Sequence, residues 1–127
     1  MTTSTDKLLY PELSADIIGA AMKVLNTLKP GLSEKAYENA LVIELRNRGH
    51  KVDQQKRFNV YYETILVDIL VPDIIVDDLV IVDPKVAETF TPTHTEQMKG
   101  YLTITNLRLA LLLNFKHADL RWKRTVR

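Results

Sequence analysis

Residues 65–85 read ILVDILVPDIIVDDLVIVDPK. From Ile65 to Val76 nearly every position is apolar and many are β-branched, the pattern of a strand buried on both faces. Asp77-Asp78 reads as a turn, and Leu79 to Val86 repeats the pattern as a further strand. Side chains alternate across a strand, so parity sorts them. Ile65, Val67, Ile69, Val71, Asp73 and Ile75 fall on one face of the first strand; Leu79, Ile81, Asp83 and Lys85 fall on one face of the second. Each apolar stripe therefore ends in a carboxylate. Asp83 and Lys85 point the same way, about 7 Å apart along the strand. If the strands are hairpin neighbours around Asp77-Asp78, Asp73 and Asp83 can converge on that side.

Outward from this stretch the period changes to that of helices. Ile17, Ile18, Ala21, Val24, Leu25 and Leu28 recur at helical spacing after Ser14, a candidate N-cap, and Pro30-Gly31 stops the run. A second helix starts near Ser33. Its stripe is Tyr37, Leu41 and Leu45, with Ala40 and Ile43 beside it, and Gly49 suits its C′ position. Residues 51–62 roughly alternate, with Val52, Phe58, Val60 and Tyr62 on one parity and Glu63-Thr64 as a turn. Thr91 or Thr93 caps a third helix running to about Thr103. Two last strands follow, Leu107 to Phe115 and Leu120 to Val126. The order α, α, β, β, β, α, β, β predicts an α/β (α+β) core with a mixed sheet. Residues 1–12 read as a flexible lead-in and 13–127 as a single domain.

Composition narrows the chemistry. The chain has 127 residues, 46% of them apolar and 26% charged, which is a globular balance able to bury a core. There is no cysteine, so disulfides, thiolate zinc sites and a thiol nucleophile are excluded. That and the lack of a signal-like start point to the cytoplasm. The longest apolar run, Leu109 to Leu113, is too short to span a membrane. A net charge of +1 removes the simplest mark of a nucleic-acid binder, yet the charge is unevenly spread. Lys116 to Arg127 holds five basic residues and one acid, leaving the rest of the chain net negative. Arg121, Lys123 and Arg127 share one strand face: either a solvated edge or a phosphate-contacting stripe.

Two carboxylates brought together repel unless a cation lies between them, and their oxygens suit a hard divalent ion. An adjacent lysine complements a phosphate or the charge of a transition state. Singly, Asp73, Asp83 and Lys85 could be a solvated strand end; together, inside apolar strands, they read as a site. On the second helix Glu34, Tyr37, Glu38 and Leu41 share a side, though an acid in the first turn also serves the helix dipole. On the third helix Gln97 and Tyr101 share a face, with His94 a turn earlier.

These pieces resemble a known family. Gly31-Leu32-Ser33-Glu34-Lys35-Ala36-Tyr37 reads G-x-x-E-x-x-Y; Pro72-Asp73 followed by Asp83-Pro84-Lys85 reads P-D…D-x-K; Gln97 to Tyr101 reads Q-x-x-x-Y. Together they resemble the GxxExxY family of the PD-(D/E)xK nuclease superfamily, over residues 13–126. The resemblance implies a restriction-endonuclease-like αβββαβ core, a mixed central sheet flanked by helices, and metal-dependent hydrolysis of phosphodiester bonds, with DNA ahead of RNA as substrate. It implies Asp73, Asp83, Glu34 and the Pro84 carbonyl as ligands of Mg²⁺ or Mn²⁺. It implies Lys85 as the residue that orients water or steadies the transition state, and Gln97 and Tyr101 as residues that position the substrate strand; Arg121 and Lys123, from the basic last strand and not from the resemblance, are the further candidates for substrate contact. A bound divalent ion acidifies water and neutralises developing charge, so no nucleophilic side chain is needed.

The chain departs from the family at three places. Pro84 stands where relatives carry an apolar residue with an N–H, so a bulge or an unpaired ladder position is expected there. Asp83 replaces the usual Glu, and Val71 replaces a common basic residue. These departures keep open an alternative: a catalytically impaired module of the same fold that binds nucleic acid or protein. A domain this small has little surface to grip a duplex alone, which points to a homodimer or a larger partner.

Overall fold

The computed structural model describes residues 9–127. Residues 1–8 of the expected lead-in lie outside the described residues. The first helix, α1 (Pro11–Leu28), starts inside that stretch and ahead of Ser14. Its cap position is Tyr10, and Pro11 begins it, where a missing N–H removes nothing. Ser14 lies within the first turn and donates its hydroxyl to the Tyr10 carbonyl (2.8 Å). α2 (Glu34–Asn47) is capped by Ser33, whose side chain accepts from the Ala36 N–H, and Gly49 adopts φ 91° just past its end. Tyr37, Leu41 and Leu45 are fully buried as expected, but Ile43 is 61% exposed. The Tyr37 ring stacks on Phe115 (centroids 4.8 Å apart), and its hydroxyl donates to the Lys29 carbonyl (2.6 Å) and accepts from the Leu32 N–H (3.1 Å). One tyrosine thus joins the sheet to the α1–α2 loop.

The strands are β1 (Val52–Gln54), β2 (Phe58–Tyr62), β3 (Ile65–Leu70), β4 (Ile74–Val76), β5 (Val80–Lys85), β6 (Leu109–Asn114) and β7 (Arg121–Val126), with α3 (Pro92–Thr105) between β5 and β6. Five of them form a mixed sheet in the order β1-β4-β5-β6-β7. Only β5 and β6 run parallel. The α2, β1, β4, β5, α3, β6 succession is the αβββαβ core expected, with α1, β7 and a β2–β3 hairpin added.

The stretch from Ile65 to Val76 is not one buried strand. It breaks at Val71-Pro72-Asp73 into β3, which pairs with β2 in a separate two-stranded sheet, and β4, which enters the main sheet. Only β4 is buried; Ile65, Leu66 and Val67 are exposed on the hairpin. The alternating stretch 51–62 divides in the same way, β1 going to one sheet and β2 to the other. Proline at the break has no N–H for a ladder, which is what stops one long strand.

The main sheet separates two cores. Val52, Ile74, Val76, Val80, Val82, Leu109, Leu111 and Leu113 face α1 and α2. On the other face Ile75, Ile81, Ala110 and Leu112 meet Met98 and Leu102 of α3. β6 is buried on both faces, which accounts for its unbroken Leu-Ala-Leu-Leu-Leu run.

Candidate active site

β4 and β5 are joined by a turn in which Asp77 and Asp78 both take positive φ (53° and 58°), and the Leu79 N–H closes on the Val76 carbonyl (3.0 Å). Because Val76 pairs with Val80, the loop is three residues long, Asp77-Asp78-Leu79. Its register pairs Ile75 with Ile81 and Ile74 with Val82. Continued by one residue, that register sets Asp73 opposite Asp83. The expected convergence of these two side chains therefore follows from the turn, on the sheet face that α3 covers.

The Pro84 difficulty resolves in the backbone. Successive residues of a strand turn their N–H and C=O groups to opposite sides. The Lys85 carbonyl accepts from the Phe115 N–H (2.9 Å), so Lys85 faces β6 and Pro84 faces the β4 side. β4 has no paired residue that far along, so no ladder bond is lost to the proline. No bulge is needed; of the two expectations the unpaired position holds.

Asp83 is 3% exposed, and its Oδ1 has no hydrogen-bond partner. Lys85 Nζ lies 3.5 Å from that oxygen. Burial, and then the charge of Asp73, push the Asp83 carboxyl up to about 7, against the pull of Lys85. Gln97 Nε2 donates to the Tyr101 hydroxyl (3.2 Å) on α3. Burial and the charges of Asp83 and Asp73 raise the Tyr101 phenol, so this pair stands beside the two aspartates. Glu34 lies in the first turn of α2, and its Oε2 accepts the Val86 N–H (3.1 Å), directly after Lys85. His94 belongs to helix capping: Thr91 N–H donates to its Nδ1 and Thr91 Oγ1 accepts from its N–H.

Arg121 and Lys123 lie two strands away on the same sheet face. Lys85 pairs with Asn114 and Asn114 with Arg121, which sets Arg121 about 10 Å from Lys85 at the usual strand spacing. Among the described residues neither Arg121 nor Lys123 has an ion-pair or hydrogen-bond partner for its side chain. Arg127, grouped with them by parity, is engaged instead by Asn106 and the Leu107 carbonyl.

Three residues near the site were given no role from the sequence. Asn114, 1% exposed, donates to the Ala87 carbonyl (2.7 Å) and accepts from the Ala87 and Lys116 N–H groups, fixing the loop after Lys85. Glu38 is buried, and Gln55 reaches Asp73. Only Glu38 left a trace, its place one turn beyond Glu34.

A family model of the PD-(D/E)XK nuclease superfamily matches residues 11–125. The chain belongs to the PD-(D/E)XK nuclease superfamily. Among solved structures, the crystal structure of an alkaline exonuclease from Laribacter hongkongensis is similar at a TM-score of 0.50 and 15% identity, over 84% of this chain and 76% of that one. At that identity the likeness is one of fold, the restriction-endonuclease-like architecture. No curated protein matches the sequence. PD-(D/E)XK nucleases generally use divalent metals. Among the described residues no three acidic or histidine side chains are gathered closely enough to cage an ion by themselves. The orphaned, buried Asp83 oxygen beside a second carboxylate is nonetheless the chemistry a hard cation fits. Among the described residues no helix is long and apolar enough to cross a membrane.

Proposed function

We propose that this PD-(D/E)XK protein, as a member of the GxxExxY family, is a Mg²⁺- or Mn²⁺-dependent nuclease that hydrolyses phosphodiester bonds in DNA. The observation that carries the reading is the Asp83 carboxylate: buried, short of a partner and opposed by Asp73, with Lys85 alongside. Asp73, Asp83 and the Pro84 carbonyl would hold the ion, with Glu34 completing the set. Bound there, the ion would supply an acidified water and offset charge on the phosphate. Lys85 presents its ammonium to the scissile phosphate and steadies the transition state. Gln97 and Tyr101 contact the nucleic-acid strand, and Arg121 and Lys123 receive phosphates on the same sheet face, with affinity that falls as salt rises.

The test is cleavage of single- and double-stranded DNA and RNA with Mg²⁺, Mn²⁺ or EDTA. Asp83→Ala and Lys85→Ala should each lower the rate by about 100-fold or more. Activity that survives EDTA or both substitutions would sink the reading. A second reading, binding without cutting, is favoured by one observation: the Glu34 and Glu38 carboxylates are already engaged, on Val86 and on Lys35, Gln54 and Gln55. Salt-sensitive DNA binding with no cleavage in any metal would support it.

A further inference from the structure

Glu38, one helical turn beyond Glu34, is 4% exposed. A carboxylate that deep needs N–H donors. Lys35 Nζ stands 3.3 Å from both of its oxygens, and its Oε2 accepts from Gln54 Nε2 (2.8 Å) and Gln55 Nε2 (2.9 Å). The same Gln55 nitrogen donates to Asp73 Oδ1 (3.1 Å). One amide nitrogen, with its two hydrogens, thus spans two carboxylates. Both neighbours can only accept, so the amide orientation is forced. The Gln55 backbone N–H also donates to the Asp73 carbonyl (2.9 Å).

The Gln55 backbone has φ 59°, a left-handed conformation that a β-carbon disfavours and glycine would take freely. A glutamine kept in that strained place holds Asp73 through main chain and side chain together. Asp73 in turn faces the like charge of Asp83, an arrangement two carboxylates do not keep unaided.

We propose that Gln55, anchored by Glu38, is a positioning residue that fixes the Asp73 side chain against Asp83; the catalytic importance of that orientation rests on the nuclease reading above. Ligand-orienting partners of this kind typically alter metal affinity or activity by about 10–100-fold when removed.

The variants are Gln55→Gly and Gln55→Ala. Glycine relieves the backbone but both variants lose the side-chain bonds to Glu38 and Asp73, so both should melt below the wild type, Gln55→Ala a few degrees below Gln55→Gly. In the metal-free protein, three-bond NMR couplings should show one Asp73 rotamer in the wild type and averaging in both variants. Mn²⁺, titrated calorimetrically, should bind the variants about 10–100-fold more weakly. A single Asp73 rotamer in metal-free Gln55→Gly overturns the proposal whatever the activity. So does averaging without any change in Mn²⁺ affinity where the wild type binds it. Failure of the nuclease reading looks different: a wild type that neither cleaves nor binds Mn²⁺, while the rotamer comparison still decides the role of Gln55.

Discussion

Strand β5 runs between two groups of carboxylates that have met opposite fates. At its start, Asp16 of α1 meets Arg48 Nη1 (2.7 Å) and His50 Nε2 (2.5 Å). Asp77 takes His50 Nδ1 (2.7 Å) and the Lys51 N–H (2.9 Å), and Asp78 takes Lys51 Nζ (2.8 Å). The hydrogen bond from His50 holds Asp16 below the usual carboxylate range, and the bond to Asp16 raises His50 in return. With a carboxylate on each ring nitrogen, the imidazole serves as a double donor. At the other end of β5, burial and then the charge of Asp73 push Asp83 the opposite way, up to about 7, against the pull of Lys85. Answered charges tie α1 to the β4–β5 turn; the Asp73–Asp83 pair, crowded by like charge, is the end that the proposed function assigns to a ligand.

The largest test of this contrast is Asp83→Asn in the metal-free protein. A carboxyl raised in the native state takes up a proton that the unfolded chain has already released. Native stability should therefore fall as pH climbs from about 4 to about 7, by a few kcal/mol in order of magnitude. Urea unfolding of Asp83→Asn should show a gain at pH 8 that vanishes near pH 4. Mg²⁺ should stabilise the wild type more at pH 8 than at pH 5. Equal stabilities at both pH values would erase the distinction between the two ends.

Asn114→Ala comes next. It leaves the Ala87 and Lys116 backbone groups without their partner and should lower unfolding free energy by roughly 2 kcal/mol. His50→Gln tests the satisfied end. The His50 pKa is raised on folding, so its contribution is whole below about pH 6.5 and is lost as pH rises through the folded value. The substitution should remove roughly 1 kcal/mol at pH 6 and little at pH 9, with no response to Mg²⁺. Asp16 has the converse sign: its share is lost below about pH 4. The smallest effect is at the turn. Asp78→Gly relieves a positive φ and gives up an exposed ion pair, so melting should rise by about one or two degrees in calorimetry.

Parity in strands of period two showed which side chains share a face within each strand, but the meeting of Asp73 with Asp83 depends on the loop: Leu79 joins Asp77-Asp78 in it, and a two-residue turn would have set the two carboxylates on opposite faces. The α2 cap and its Tyr37-Leu41-Leu45 stripe were legible for the same reason at helical period. The run from Ile65 to Val76 misled, since unbroken apolarity looks alike in one long strand and in two short ones. Pro72 held the missing information. Ser14 resembled a cap because serine usually is one; the helix begins earlier, at Pro11, with Tyr10 in the cap position. Gln55 carried no pattern at all, because its partners come from α2 and from the far side of a hairpin. Asn114 closed a strand of leucines and gave no sign that its amide would clamp Ala87, 27 residues upstream.

One further residue stands on the register that sets Asp73 opposite Asp83. Extended two residues past Ile74 and Val82, the same register would set Pro72 opposite Pro84. That is the place where each strand would offer its N–H to the other, and neither has one. The two prolines act as a zipper stop: β4 and β5 can close as far as the aspartates and no farther. Pairing of β4 with β5 ends at Ile74 and Val82, just short of the two acidic side chains, and the end of the ladder is written into the backbone before any side chain is considered.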